Sequence, residues 1–146
     1  MEHAAAAPAW IASLQQGPLG LAMRQSVYLY PLAEVLHILG FATLFGAIVG
    51  FDIGTLRRQE PPAYLLAIAA AGLALALPMG ALLFVADGAE VWANPMFKAK
   101  LVLIALALAN VGLFHLGPLR LRRLSAGLSI AGWLAVIVCG RLIAYV

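Results

Sequence analysis

The sequence has few charged residues. They make up 10% of the 146 positions, whereas hydrophobic residues make up 64%. A soluble domain has about 25% charged residues and about 45–50% apolar residues. Because a water-soluble core of this length cannot bury such an excess of apolar side chains, the composition predicts a membrane protein.

Cysteine is also scarce, and the familiar motifs of catalysis and nucleotide binding are missing. The single cysteine, Cys139, excludes a disulfide within the chain, and no Cys and His residues have zinc-site spacing. We find no phosphate loop, HExxH motif or dinucleotide fingerprint, and no serine in a nucleophile elbow. The basic residues do not cluster with aromatic residues on a polar face, so we expect no nucleic-acid partner. The sequence leaves open whether the protein is an enzyme.

Four apolar stretches are long enough to cross a bilayer, which takes about 20 helical residues. They cover residues 30–54, 63–86, 96–117 and 124–146. Because the connections are short, neighbouring helices should be antiparallel, which predicts an all-α membrane protein with an up-down four-helix bundle over residues 30–146. Residues 1–29 are predicted to be a tail and a short amphipathic segment in the membrane interface. The lipid bilayer is therefore the first expected partner.

Basic loops predict the orientation in the membrane. Arg57 and Arg58 follow the first span, and three arginines, Arg120, Arg122 and Arg123, follow the third. Both loops fall on the same side, which the positive-inside rule assigns to the cytoplasm. We therefore expect a bacterial inner-membrane protein with both termini in the periplasm.

Glycines recur at every fourth position of the first span. Gly46, Gly50 and Gly54 form a ladder of small residues, which allows two helix backbones to approach closely. This spacing predicts tight packing within the bundle, and the same face is a candidate for docking a partner helix or a second copy of the chain.

Polar residues inside the apolar stretches are the candidate functional residues, because such residues are costly in lipid and usually face the bundle interior. With a rise of about 1.5 Å per residue, an outer layer is predicted from their depths. It contains Glu34, His37, Met79, Lys100, Cys139 and Arg141, with Arg24 and Lys98 just above it. Asn110 falls near the middle of the third span, and His115 falls toward the cytoplasmic side.

A b-type haem is the leading candidate for the group that this layer binds. Haem in a helical bundle needs an axial ligand and cationic partners for its propionates. His37 is the predicted axial ligand, and Met79 is the candidate second ligand. The predicted propionate partners are Arg24, Lys98, Lys100 and Arg141. His37 and His115 differ in predicted depth by about 20 Å, which is too far for one haem to join.

Three other interpretations stay open. Copper handling would use His37 and Met79, with Cys139 as a soft ligand at the same level. A quinone or another small molecule could bind beside Trp92, His37 and Glu34. In a non-enzymatic accessory or anchor subunit of a membrane complex, the polar residues would simply pair with one another and stabilise the bundle.

Three segments carry a family resemblance. YLYPLAEVLHILG, FDIGTLRR and NPMFKAKLVLIALALANVGLFH resemble a bacterial four-helix integral membrane family of unknown function. More distantly, the layout is similar to copper-resistance D-type membrane proteins and to the HemJ-type membrane protoporphyrinogen oxidase. The latter also has a His in its first helix and a Lys-Leu pair followed by a His in its third. The matching positions are His37, Lys100-Leu101 and His115, so this resemblance implies a haem-linked redox role and adds His115 to the cofactor-binding candidates.

Overall fold

The structure of the protein is a computed structural model that describes residues 7–145. The first six residues of the predicted tail and Val146, the last residue of the fourth predicted span, lie outside the described residues. The helices are α1 (Ala9–Gln16), α2 (Pro18–Gln25), α3 (Leu29–Leu56), α4 (Tyr64–Ala93), α5 (Pro95–Leu116) and α6 (Arg122–Leu142), and a 3-10 turn at Leu119–Leu121 precedes α6. For the described residues, the predictions of a helical protein and of four helices that could span a membrane are confirmed, because α3, α4, α5 and α6 with its preceding turn are long and apolar enough to cross one.

Helices α3 and α4 run antiparallel and approach most closely at two glycines. A Cβ atom added to Gly72 would lie 2.5 Å from the Leu44 amide nitrogen and 2.7 Å from the Gly40 carbonyl oxygen. A Cβ atom added to Gly40 would likewise lie 2.7 Å from the Ala76 amide nitrogen. Backbone therefore packs directly on backbone at this crossing, as small residues permit between membrane helices.

The predicted glycine ladder on α3 does not form this close contact. A Cβ atom at Gly46 would meet nothing within 4 Å among the described residues, and one at Gly50 would meet the Leu65 side chain at 3.6 Å. Gly54 does pack closely, against Pro61 in the loop before α4. The ladder glycines are spaced as close helix packing requires, but Gly46 and Gly50 lie outside the α3–α4 contact. That contact forms nearer the start of α3, at Gly40.

Helices α5 and α6 form a second antiparallel pair, joined by hydrogen bonds at both ends. The Asn94 side chain accepts from the Met96 amide at 2.8 Å and donates to the Ile143 carbonyl at 3.0 Å. At the other end, Asn110 Nδ2 donates to the Ser125 carbonyl at 2.9 Å, and the Ser125 hydroxyl donates to Asn110 Oδ1 at 2.9 Å. These bonds satisfy polar groups that would otherwise be costly in an apolar environment.

One buried apolar cluster joins all four long helices. It contains Leu44, Ala47 and Ile48 of α3, Ala69 of α4, Ala107 of α5, and Trp133 and Val136 of α6. The α3 ring of Phe41 packs edge-on against Trp133, with centroids 6.4 Å apart. Trp133 therefore anchors α6 in the core on the α3 side.

Helix α4 continues beyond residue 86, where the second span was predicted to end. Asp87-Gly88 was interpreted as a helix terminator, but the helix only kinks at Asp87 (φ −125, ψ 25) and continues to Ala93. At this kink the Ala86 carbonyl accepts hydrogen bonds from Gln15 Nε2 at 3.1 Å and Arg24 Nη1 at 2.8 Å. Arg24 Nη2 also donates to the Gln15 carbonyl at 2.7 Å. Side chains of α1 and α2 thus satisfy the backbone where the helix bends.

This arrangement predicts that Arg24 is a structural residue. We expect Arg24→Met to lower the free energy of unfolding by about 1–3 kcal/mol, because the change removes charged donors from two carbonyl groups. The matched control is Arg57→Met, which alters an exposed arginine at the end of α3. The measurement is an SDS titration of the protein in mild detergent micelles. Equal unfolding midpoints for the two variants would contradict this role.

Candidate functional site

His37 lies in α3 and is half-buried against α4. Its Nδ1 atom is 2.7 Å from the Ala76 carbonyl oxygen. Since a carbonyl oxygen only accepts, Nδ1 must carry the hydrogen, and in the neutral ring the lone pair is on Nε2. Gly80 gives the ring its space, because a Cβ atom there would lie 2.7 Å from His37 Cε1. The ring is therefore held by one nitrogen and offers the other as a donor atom.

A cation from α5 reaches the same region. The Phe41 ring packs edge-on against His37 with centroids 5.0 Å apart, and Lys100 Nζ lies 5.1 Å from the Phe41 centroid. Lys100 also packs against Gly140 of α6, where an added Cβ atom would lie 3.2 Å from Nζ. Within residues 7–145 no carboxylate pairs with Lys100. We call His37, Phe41, Lys100 and Gly140 the His37 cluster; it brings together three of the four long helices.

Met79 and Glu34 of the predicted layer have different surroundings. Met79 packs with Met23, Ala33 and Ala86, so its neighbours lie about one turn nearer the start of α3 than His37. Glu34 is exposed and forms no ion pair in the described part of the chain. Cys139, next to Gly140, is a half-buried free thiol.

The remaining predicted cationic residues have local partners. Arg24 donates to the Ala86 and Gln15 carbonyls. Lys98 Nζ lies 5.7 Å from the Trp92 ring centroid. Arg141 donates to the Tyr145 hydroxyl at 2.6 Å and lies over the same ring. Of the four predicted propionate partners, Lys100 is thus the one that the structure brings beside His37.

His115 and Asn110 lie away from the His37 cluster. His115 is exposed, and its Nδ1 atom is 3.0 Å from the Val111 carbonyl of its own helix. The neighbouring Phe114 ring packs on Phe51, with centroids 5.6 Å apart. Phe51 follows His37 by 14 positions of one helix, which corresponds to about 21 Å. His115 therefore does not join His37, and Asn110 is occupied by Ser125.

A cavity of about 320 Å³, which the sequence pattern does not predict, lies at the level of Phe51 and Phe114. Its walls are mainly apolar and include Leu44, Ile48 and Phe51 of α3, Leu66 and Leu73 of α4, and Leu108 of α5. The cavity also has polar lining residues on α3, α5 and α6, namely Asp52, Asn110, His115, Ser125, Ser129 and Trp133. We call it the Asp52 cavity.

Two buried polar atoms at the Asp52 cavity have no hydrogen-bond partner. Asp52 is 5% exposed and Trp133 is 1% exposed. Ser129 lies beside the Asp52 carboxyl, and within the described chain Asp52 Oδ2 and Trp133 Nε1 have no hydrogen-bond partner. Such atoms are rare in folded proteins, and each needs an explanation.

A sequence signal for this cavity was present. Ser125, Ser129 and Trp133 follow one another at intervals of four, which puts them on one face of α6. Asp52 is a carboxylate inside an apolar run, which by itself marks a candidate functional residue. Nothing in the sequence, however, shows that Asp52 faces this stripe.

Among the described residues, no three His, Cys, Asp or Glu side chains come together as a metal site would require.

Comparisons with family models, with curated proteins and with solved structures found no match to the chain.

Proposed function

We propose that this chain is a small multi-pass protein of the bacterial inner membrane that binds a redox group through His37, with b-type haem as the leading candidate. The observation that carries the proposal is the hydrogen bond from His37 Nδ1 to the Ala76 carbonyl. Histidines that bind metals commonly donate their other ring nitrogen to a carbonyl or carboxylate, which fixes the ring and strengthens the donor atom. His37 has this arrangement, with Nε2 as the ligating atom.

The proposed topology is an up-down bundle with α1 and α2 in the membrane interface and both termini in the periplasm. The antiparallel pairs α3–α4 and α5–α6 support the bundle. The arginines of the two intervening loops, Arg57, Arg58, Arg120, Arg122 and Arg123, support a cytoplasmic location for those loops. In this topology the His37 cluster lies in the outer half of the membrane.

Two residues of the His37 cluster have side chains of the kind that hold a haem. His37 would supply the protein ligand, and the unpaired Lys100 ammonium would compensate a propionate. Met79, Arg24, Lys98, Arg141 and His115 have other surroundings, so neither a second protein ligand nor further propionate partners follow from the geometry. A bound b-type haem supplies one-electron redox chemistry. In this proposal the chain orients the group through His37 and adjusts its charge environment through Lys100.

Copper handling is the weaker metal proposal. It would use His37, Met79 and Cys139, which carry suitable donor atoms. Met79, however, packs with Met23, Ala33 and Ala86. The geometry therefore supports His37 better as a single axial ligand than as part of a three-ligand copper site.

A second candidate function is an accessory or anchor subunit of a membrane complex. The observation that favours it is the exposure of α5, because only 6% of the residues in its apolar stretch are buried. Gly46 of α3 and Gly112 of α5 also face open space within the described chain. These surfaces are available for a redox partner, for another subunit, or for a second copy through the Gly46, Gly50 and Gly54 face.

The haem content of the purified protein tests the leading proposal. Cells expressing the protein are supplemented with haem, and the haem and copper contents are measured after purification in mild detergent. We expect stoichiometric haem in the wild type, a loss of at least about tenfold in His37→Ala, and retention in the control His115→Ala. A folded wild-type protein without haem would overturn the haem proposal, and copper without haem would favour the alternative.

A further inference from the structure

The Asp52 cavity has the features of a second binding site, independent of His37. Asp52 lies 15 positions after His37 in one helix, which corresponds to about 22 Å. The cavity combines mainly apolar walls with two buried, unsatisfied polar atoms, Asp52 Oδ2 and Trp133 Nε1. Burying a polar group without a partner is unfavourable, so a ligand that satisfies both atoms binds more tightly than one that satisfies neither.

The chemistry of the two atoms restricts the ligand. The Trp133 indole can only donate, so it needs an acceptor. Asp52 Oδ2 needs a donor when the carboxyl group is ionised. A hydroxyl group provides both functions, and the apolar walls require that the rest of the ligand be hydrocarbon-like.

We propose that the Asp52 cavity binds a lipid-soluble ring compound that carries a hydroxyl group, as a hydroquinone does, with the hydroxyl group donating to Asp52 and accepting from Trp133. The volume agrees with an organic ligand rather than a single water molecule. A water molecule takes up about 30 Å³, whereas the cavity measures about 320 Å³. Aliphatic walls formed by Leu44, Ile48 and Leu73 suit a ring with alkyl substituents.

A matched pair of probes tests this site. Trimethylhydroquinone, kept reduced, is titrated calorimetrically into the full-length protein in nanodiscs, with empty nanodiscs to subtract partitioning into lipid. Trimethylbenzene has the same ring and methyl groups without the hydroxyls. We expect saturable binding of trimethylhydroquinone to the protein and affinity at least about tenfold weaker for trimethylbenzene, because only the former satisfies the two buried atoms.

Single substitutions identify the contacts. Asp52→Asn and Trp133→Phe should each weaken trimethylhydroquinone binding by about five- to tenfold while leaving the weak binding of trimethylbenzene unchanged. The controls Glu90→Gln and Trp10→Phe make the same chemical changes outside the cavity. The ratio of the two probe affinities within each variant is the readout, so a uniform loss of folded protein does not mimic the effect.

Three results would overturn the proposal. The first is equal affinity of the wild type for both probes, which would mean that the cavity is simply apolar. The second is an unchanged affinity ratio in both Asp52→Asn and Trp133→Phe. The third is the absence of binding beyond that of empty nanodiscs. Because His37 is intact in all these variants, the haem content tests the proposed redox function separately.

Discussion

Gly72→Ala is expected to destabilise the protein by about 2–3 kcal/mol or more, although the change adds one methyl group. The new Cβ atom would lie 2.5 Å from the Leu44 amide nitrogen and 2.7 Å from the Gly40 carbonyl oxygen. These neighbours are backbone atoms, which cannot rotate away, so α3 and α4 must separate. Overpacking that moves backbone typically costs about 1–3 kcal/mol, and here two helices shift along a shared contact.

Gly46→Ala is the matched control for this prediction. The same methyl group at Gly46 meets open space, and alanine favours the helix over glycine by about 0.5–1 kcal/mol. We expect an unchanged or slightly higher free energy of unfolding, measured by SDS titration in mild detergent. Equal destabilisation by both substitutions would contradict the assignment of the helix crossing to Gly40 and Gly72.

The Gly72 contact also controls the proposed site. His37 is bonded to Ala76, one turn after Gly72, and rests against Gly80, two turns after it. A separation of α3 from α4 would therefore lengthen the bond that fixes His37 Nδ1. Gly72→Ala should reduce haem content together with stability, whereas Gly46→Ala should reduce neither.

Lys100→Met is expected to stabilise the protein by about 1–2 kcal/mol. The Lys100 ammonium is half-buried, and within the described residues it has no carboxylate partner. A charge inside a membrane helix costs up to about 2.5–3.5 kcal/mol, whereas the cation–π contact with the Phe41 ring stabilises the protein by only about 0.5–2 kcal/mol. Methionine keeps most of the side-chain length and removes the unfavourable charge.

The same variant should impair the proposed function. If Lys100 compensates a haem propionate, Lys100→Met should weaken haem retention while raising the free energy of unfolding in SDS titration. Lys98→Met is the control, because Lys98 is exposed and rests on Trp92; we expect its stability to change by less than about 0.5 kcal/mol. A clear loss of stability in Lys100→Met would contradict the view of Lys100 as an unpaired charge.

The sequence predicts the four long helices well because their signal is local. A run of about 20 apolar residues specifies a membrane helix whatever it packs against. The predicted end of the second span, at Asp87-Gly88, coincides with the bend in α4, and the helix resumes beyond it to Ala93. Here Arg24 and Gln15, which are distant in sequence, satisfy the Ala86 carbonyl at the bend. A contact of this kind is not visible in a local pattern.

The packing residues were only partly predictable for the same reason. A spacing of four identifies glycines that share a face, but it does not show which face meets another helix. Gly40 and Gly72 belong to different helices, and their contact depends on the α3–α4 register. That register is a property of the whole bundle and not of either helix alone.

The candidate site was also only partly predictable from the sequence. Helical rise predicts how far apart His37 and His115 lie along the bundle, because depth depends only on position in a helix. The direction of a side chain, by contrast, can be known only from the structure. There, Lys100 reaches the Phe41 ring, whereas Arg141 donates to the Tyr145 hydroxyl. The partnership between Asp52 and the α6 stripe likewise requires that α3 and α6 face each other.

The most direct test of the central claim, that His37 and not His115 is the ligand, is the optical spectrum of the purified protein before and after dithionite. The proposal predicts a Soret band in the wild type that shifts on reduction, is lost in His37→Ala and is retained in His115→Ala. Loss of the band in His115→Ala with retention in His37→Ala would contradict the account.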